Sequence, residues 1–562
     1  MSHFRKEEDC KMSDNQHGLQ RTLKNRHLQL IAIGGAIGTG LFMGSGKTIS
    51  LAGPSVLFTY IIIGLFLFFV MRAMGELLLH NLEYKSFVDF TADLLGPTAG
   101  YFVGWTYWFC WVVIGMADIV AITGYMQFWW PDIPLWMPGI MCIAVLLLLN
   151  MVSVKIFGEL EFWFALIKIL AIVALIVCGI YLVITGFVGP TGDKAQMSNL
   201  WKDGWFPHGM SGFFAAFQIA VFAFVGIELV GTASAETADP YKTLPKAINK
   251  IPVRVIVFYV LALMVIMTVT PWSSVAPDKS PFVNMFTLIG IGAAAALINF
   301  VVLTSALSSA NSGMYSTGRM LYGLADKKLA PNAFGQLSSN GVPRNGLMYS
   351  CALLLIGVGL LYADGNVMHV FTVVTTISSI GFFFVWTMIL FSYIKYRKVR
   401  PEAHAQSTYK MPFGIPMCYL CLAFFVFVLC LFAQESDTLL GMVATPLWFL
   451  ALVIFYAFYN KQLTRKTAAK VGFGFIVLSL VIPQLMKVLS ASGITNDSNI
   501  IVLSGVASVL AALIAIVYGH FTLVKPKENN STPFTIMAVF SLVLGYVKVL
   551  FSLVILAAVL FS

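Results

Sequence analysis

Residues 30–42, Leu-Ile-Ala-Ile-Gly-Gly-Ala-Ile-Gly-Thr-Gly-Leu-Phe, begin as an apolar helix and then set Gly34, Gly35, Gly38, Thr39 and Gly40 inside it. A glycine in a helix interior costs up to ~1 kcal/mol relative to alanine. A helix that crosses a bilayer needs about 20 apolar residues, so this cluster falls near mid-membrane. Backbone unwinds at that depth only where it is buried in protein or lines a cavity. A helix broken there presents unpaired N–H groups where one half begins and unpaired carbonyls where the other half ends. Such a pair of ends is complementary to a solute that carries both charges.

The rest of the chain agrees with a membrane setting. Of its 562 residues, 59% are hydrophobic and 11% charged, with a mean hydropathy of +0.86; a soluble domain has roughly 25% charged residues. Twelve spans are expected up to residue 459, at about 28–48, 54–79, 100–129, 136–156, 161–185, 210–236, 252–271, 282–312, 345–363, 369–394, 415–433 and 443–459. Three further candidates lie near 470–489, 499–521 and 533–561. With the N-terminus in the cytoplasm, most of the 35 Lys and Arg fall on the inner side, and only Lys194, Lys202 and Lys279 lie in external loops. That is the positive-inside asymmetry. The net charge of +10 is therefore a matter of topology and not a footprint for nucleic acid.

Residues 1–27 are polar and lack the apolar core of a cleavable leader. The chain has no G-x-S-x-G, H-E-x-x-H or P-loop pattern, which speaks against a membrane enzyme. Cys418 and Cys421 form a C-x-x-C without a second pair nearby, so they read as helix filler; no metal and no cofactor are expected.

The organisation follows from the spans. A cytoplasmic tail covers 1–27, a ten-helix core 28–396, a connector with spans 11 and 12 residues 397–462, and an extension with up to three more spans 463–562. Lys85 to Gly96 reads as an amphipathic surface helix, 188–209 as an external loop, and Arg319 to Gly335 as a separate cytoplasmic helix. Span 6 is interrupted at Phe222-Ala-Phe-Val-Gly-Ile-Glu228. Spans 1 and 6 run in opposite directions and are both broken, as a five-plus-five inverted repeat requires. The expected fold class is an all-α membrane protein with such a core and discontinuous helices 1 and 6.

Lys168 interrupts the apolar run Phe162-Trp-Phe-Ala-Leu-Ile-Lys-Ile-Leu in span 5. A lysine at a helix centre costs roughly 2.5–3.5 kcal/mol on insertion scales and marks a pathway or a pair. It exchanges a proton, snorkels to the cytoplasmic interface or pairs structurally with Glu161. Counted at ~1.5 Å per residue, the span 1 break, Lys168 and Glu228 share one layer slightly inside the midplane. Glu228 suits gating or capping of the span 6 break, and Asp118 in span 3 is a second buried acid with functional and structural readings. Arg72 and Glu76 read as a pair on one helix face. The aromatic cluster Trp105, Tyr107, Trp108, Trp111, Trp129 and Trp130 reads as interface and packing, with one member a candidate wall of the site. The polar run Ser308-Ser-Ala-Asn-Ser-Gly313 marks either close helix packing or a wall or cation site through Ser308, Ser309, Asn311 and Ser312. The same holds for Thr372–Ser379, which includes Ser378.

These motifs carry a resemblance. Gly35-Ala-Ile-Gly-Thr-Gly40, Phe222–Glu228, Ala235-Glu-Thr-Ala-Asp-Pro240 and Leu244-Pro-Lys-Ala-Ile248 resemble the amino acid transporter family of the amino acid–polyamine–organocation superfamily, over about residues 19–465. Phe69–Leu79, Gly104–Val113, Val269–Ser274 and Asn299–Ser305 resemble the branch of that family that carries glycine, D-alanine and D-serine. The resemblance implies secondary active uptake of small neutral amino acids across the plasma (bacterial inner) membrane by alternating access. By motif, Ile37, Gly38, Thr39 and Gly40 line the substrate site, with the Thr39 and Gly40 amides on the α-carboxylate. Carbonyls of Ala36, Phe222 and Val225 take the α-ammonium. A lysine at the position of Lys168 goes with proton coupling in this family, with protons and lipid as further partners. A sodium symporter, an exchanger or a non-transporting sensor remains open from the sequence, as does the oligomeric state. Residues from about 466 onward have no counterpart in that branch.

Overall fold

Glycine and proline mark where the helices start and stop. Gly53 turns the chain at φ 59° between spans 1 and 2, and Gly96 at φ 105° precedes Pro97, which opens span 3 at the position where proline costs no hydrogen bond. The computed structural model describes residues 37–459 apart from 85, 153, 191, 230, 232–238, 339–340 and 435, with short helical stretches between 469 and 549. Among the described residues every regular element is helical, save one isolated Val188–Lys194 bridge in the external loop.

Span 1 is described from its break outward, as Thr39–Phe42 and Gly44–Ala52. Span 2 is Val56–His80, span 3 Pro97–Met126, span 4 Trp136–Val152 and span 5 Val154–Thr185. Span 6 comprises Gly209–Ala215, Phe217–Ala220 and a 3-10 turn, Val221–Phe224. Span 7 passes from Ile251–Arg254 through a π-helical stretch, Val255–Leu261, to Ala262–Val269. Spans 8 to 12 are Gly292–Asp326, Arg344–Asp364, Val367–Val399, Gly414–Phe432 and Ser436–Tyr459. The amphipathic surface helix is Phe87–Leu95, opened by a capping box in which Ser86 Oγ accepts from Val88 N and Asp89 Oδ2 from Ser86 N.

Spans 3, 8 and 10 form the packed centre. Small residues let them approach: a Cβ on Gly313 would stand 2.9 Å from Trp111 Cε3, and one on Gly381 2.3 Å from Cys110 Sγ. The tail 1–27 and the inner half of span 1 lie outside the described residues. In the extension, the Tyr518 side chain packs with Tyr101 of span 3 and with Leu452, Val453 and Tyr456 of span 12. Cys418 and Cys421 are free thiols buried in span 11.

Three expectations change. Span 8 begins at Gly292 and not at 282, because Gly290 turns at φ 81° and separates off a short helix, Pro281–Leu288. Residues 319–335 are not one cytoplasmic helix: span 8 continues unbroken to Asp326, and only Asn332–Gly335 forms a 3-10 turn. Arg72 and Glu76 do not pair. Arg72 donates to Asn249 Oδ1 (2.9 Å) and to the Lys410 carbonyl, with its guanidinium 3.9 Å from the Tyr409 ring centre. Glu76, fully buried, accepts from Tyr393 Oη (2.9 Å) and Met411 N (2.8 Å) and meets His404 Nδ1 at 2.5 Å. The connector after span 10 thus folds back and clamps the inner end of span 2. Nearby, hydrogen bonds from Tyr84 and then Arg400 hold the Asp93 carboxyl below its usual range.

Removing a buried acceptor that serves several donors leaves each donor unpaired. Glu76→Ala should lower the stability of the detergent-solubilised protein by roughly 2–4 kcal/mol, read as an earlier thermal unfolding transition.

Candidate functional site

Among the described residues, a helix start in span 1 and a helix end in span 6 fall where the interruptions were predicted, and the two touch. Gly38 is extended (φ −132°, ψ −160°) and Thr39 starts the outer half of span 1. The first helical turn bonds back to Gly38 O from Leu41 N and Phe42 N, both at 3.2 Å. The amides of Thr39 and Gly40 come before that first bond, where a helix start has no internal acceptor to offer. In span 6 the helix ends at Phe224, Val225 is extended (ψ 139°), and Gly226 takes φ 97°, a conformation that favours glycine. A Cβ on Gly40 would lie 2.6 Å from Ala223 Cα and 2.9 Å from Phe222 Cδ1, so main chain meets main chain there. Gly44, one turn outward, meets side chains alone, Ile219 Cγ2 at 2.9 Å and Phe371 Cε1 at an ordinary 3.9 Å.

A small cavity of ≈ 20 Å³ sits at this contact, lined by Gly38, Thr39, Gly40, Phe222, Ala223, Val225, Trp111, Ile114 and Ser309. Thus Gly38, Thr39, Gly40, Phe222, Val225 and Ser309 come together as the sequence suggested. Ile37 is buried beside them with its carbonyl accepting from Ser305 Oγ (3.2 Å), and Ala36 lies outside the described residues. Phe222 O already accepts from Val225 N at 3.1 Å, which leaves its second lone pair. Ala223 O accepts from Tyr259 Oη at 2.8 Å, fixing the unwound turn from span 7.

Behind the cavity lies a polar layer. Thr39 Oγ1 donates to Asp118 Oδ1 at 2.7 Å, and Ser309 and Lys168 also face that carboxylate. Lys168 is 1% exposed and has two charged neighbours, Glu161 and Asp118. Ser308 Oγ donates to Glu161 Oε1 at 2.9 Å, and Asn311 Oδ1 accepts from Asn150 Nδ2 at 2.8 Å. Ser308, Asn311 and Ser312 therefore face Glu161 and span 4 rather than the cavity. Glu228 is fully buried and accepts from Gly226 N at 3.2 Å, beside Tyr107 and Trp386, so it caps the unwound turn. Ser378 is buried in span 10 and is not among the cavity-lining residues. Among the described residues no cluster of His, Cys, Asp or Glu could hold a metal ion.

Sequence reasoning missed Ile114, Ala223 and Tyr259, and gave Trp111 only as one of six aromatics. An apolar residue in a buried helix carries no signal of which cavity it faces. The Tyr259 signal was faint: its hydroxyl sits in an otherwise apolar stretch of span 7.

Fold and site together are those of a multi-pass membrane transporter, and comparison with known proteins agrees. The amino acid permease family model matches residues 27–469, and the chain belongs to that family. It is 64% identical over 448 residues to the D-serine/D-alanine/glycine transporter of Escherichia coli K12, covering 80% of this chain and 95% of that one. It is 53% identical over 448 residues to the amino-acid permease AapA of Bacillus subtilis, covering 80% and 96%. It is 42% identical over 449 residues to the DL-alanine permease SerP2 of Lactococcus lactis, covering 79% and 96%.

The backbone contact sets a graded test. Gly40→Ala should reduce transport at least about a hundredfold, the scale of a 1 Å misplacement at a reacting centre, with membrane insertion intact. Gly44→Ala, which pushes only on a movable methyl, should cost far less in the same uptake assay.

Proposed function

We propose that this protein is a secondary active importer of small neutral amino acids such as glycine, alanine, D-serine and D-alanine, coupled to protons. The contact of two unwound helix segments across a small cavity is the observation that carries this reading. Thr39 and Gly40 amides, at the positive end of a half-helix, receive the α-carboxylate. The span 1 carbonyl at Ala36 and the span 6 carbonyls of Phe222 and Val225 receive the α-ammonium. Trp111, Ile114 and Phe222 crowd the remaining space, which favours a short side chain. The names of the relatives, which include carriers of glycine and of both alanine enantiomers, support the same substrate class.

Coupling rests on Lys168. As an ammonium it offsets one of the two acids around it, Asp118 or Glu161; an uncompensated charge in a dry layer is costly. The Thr39–Asp118 hydrogen bond ties this layer to the substrate break, so protonation of the layer and occupation of the site bear on the same backbone. Alternating access follows as spans 1 and 6 move against spans 3, 8 and 10 within a five-plus-five repeat, with Glu228 holding the span 6 turn through the cycle. In a plasma membrane, with the N-terminus in the cytoplasm, inward charge movement gains ~2.3 kcal/mol per elementary charge per 100 mV.

Uptake of labelled alanine should collapse on addition of a protonophore and persist when sodium is replaced. Dependence on sodium would reject the coupling. Lys168→Ala should abolish accumulation while the protein still reaches the membrane; unchanged gradient-driven uptake would reject the role of Lys168.

A further inference from the structure

The coupling layer sets Glu161 beside Lys168 but gives it no step of its own, and the polar cluster around Glu161 is otherwise unused. It comprises Glu161 of span 5, Ser308, Asn311 and Ser312 of span 8, and Asn150 at the inner end of span 4. None of these side chains is more than 7% exposed. Each helix places its member on the same side of Lys168. Glu161 precedes Lys168 by two helical turns on one face, about 10 Å closer to the cytoplasm at ~1.5 Å per residue. Span 8 runs inward, so Asn311 and Ser312 follow Ser308 and Ser309 in the same direction. Asn150 is close to the end of the helix Trp136–Val152.

The cluster is only half satisfied by protein. Glu161 Oε1 accepts from Ser308, and Asn150 Nδ2 donates to Asn311 Oδ1 and to Leu146 O at 2.9 Å. Asn311 Nδ2 and Asn150 Oδ1 have no hydrogen-bond partner among the described residues, and Glu161 Oε2 and Ser312 Oγ, although neighbours, make no bond of hydrogen-bond geometry. Buried polar atoms are nearly always paired. Four such atoms in one place, two of them amide atoms able to donate and accept, form a set that bridging water satisfies. Among the described residues, the charged side chain facing Glu161 is Lys168, and its other polar neighbours are the hydroxyls of Ser308 and Ser312.

We propose that Glu161 takes the proton that Lys168 gives up and releases it to the cytoplasm along water held by Ser312, Asn311 and Asn150. In the first step an N–H bond of the Lys168 ammonium breaks and an O–H bond forms at Glu161 Oε2, leaving an amine and a carboxylic acid. In the second step the acid loses that proton to the water string and returns to carboxylate. The inference rests on the proton-coupled reading above. It adds a direction to that reading: Asp118 faces the substrate side of Lys168, and Glu161 faces the exit.

The test uses the full chain in proteoliposomes with labelled D-alanine, comparing accumulation driven by an imposed pH gradient with counterflow, which needs no net proton release. The wild type checks the underlying reading: if a pH gradient drives no accumulation, proton coupling itself fails, whatever the variants do. Given a proton-driven wild type, Glu161→Gln should lose accumulation by at least about tenfold and keep counterflow within about twofold. Glu161→Asp should recover part of the loss. Asn150→Ala, which leaves the carboxylate in place, should slow accumulation roughly threefold or more with counterflow retained. Glu161→Gln with wild-type accumulation, Glu161→Gln that loses counterflow in equal measure, or Asn150→Ala with wild-type accumulation would overturn the proposal.

Discussion

The contact between Gly40 and the Phe222–Ala223 backbone is the constraint on which the rest of the molecule depends. The outer half of span 1 begins where the outer half of span 6 ends, and such bare helix ends are tolerable in a bilayer because each covers the other. Their free dipoles cannot be matched by lipid, and water at that depth needs a cavity to hold it. The packed spans 3, 8 and 10 supply the wall, and Tyr259 and Glu228 fix the span 6 turn by bonding Ala223 O and Gly226 N. A site made of main-chain groups recognises what all amino acids share. On the proposed reading, side-chain choice then falls to Trp111, Ile114 and Phe222, which line the cavity.

The second constraint is charge. Lys168, Asp118 and Glu161 are all buried, and one cation between two acids is neutral overall only when one acid carries a proton. On the proposed reading, that proton is the one the transport cycle exchanges. Ser309, which lines the cavity, faces the Asp118 carboxylate, and Thr39 hydrogen-bonds to it directly from the helix start. The Thr39 hydroxyl is thus a short mechanical path between site and charge. At the inner face, by contrast, the buried Glu76 collects donors from span 10 and from the connector after it, and joins the end of span 2 to that connector.

The helix start at Thr39, the turn after Phe224 and the burial of Lys168 were legible in the sequence because each violates what a lipid-embedded helix requires. Glycines at mid-span and a lysine in an apolar run stand out against a uniform background. The Arg72–Glu76 reading failed for the opposite reason. A spacing of four implies a pair when the face looks to solvent, but this face is covered by residues some 330 positions away, from His404 to Met411. Local spacing carries no information about such a partner. The start of span 8 was misplaced because Pro281–Leu288 is as apolar as a span, and only the turn at Gly290 separates it. Trp111 and Ile114 escaped because a helix buried on all sides gives no face away. Asn311 and Ser312 were seen as polar, but only coordinates join them to Glu161 and Asn150.

The central claim is that bare main chain from two helices reads both ends of a zwitterion at once. Competition for labelled D-alanine binding to the purified protein tests this with two truncated analogues. Propionate keeps the carboxylate without the ammonium, and D-alaninol keeps the ammonium without the carboxylate. The account predicts that glycine and D-alanine displace the label while neither analogue does so at comparable concentration. Displacement by either analogue as effective as that by D-alanine would contradict it.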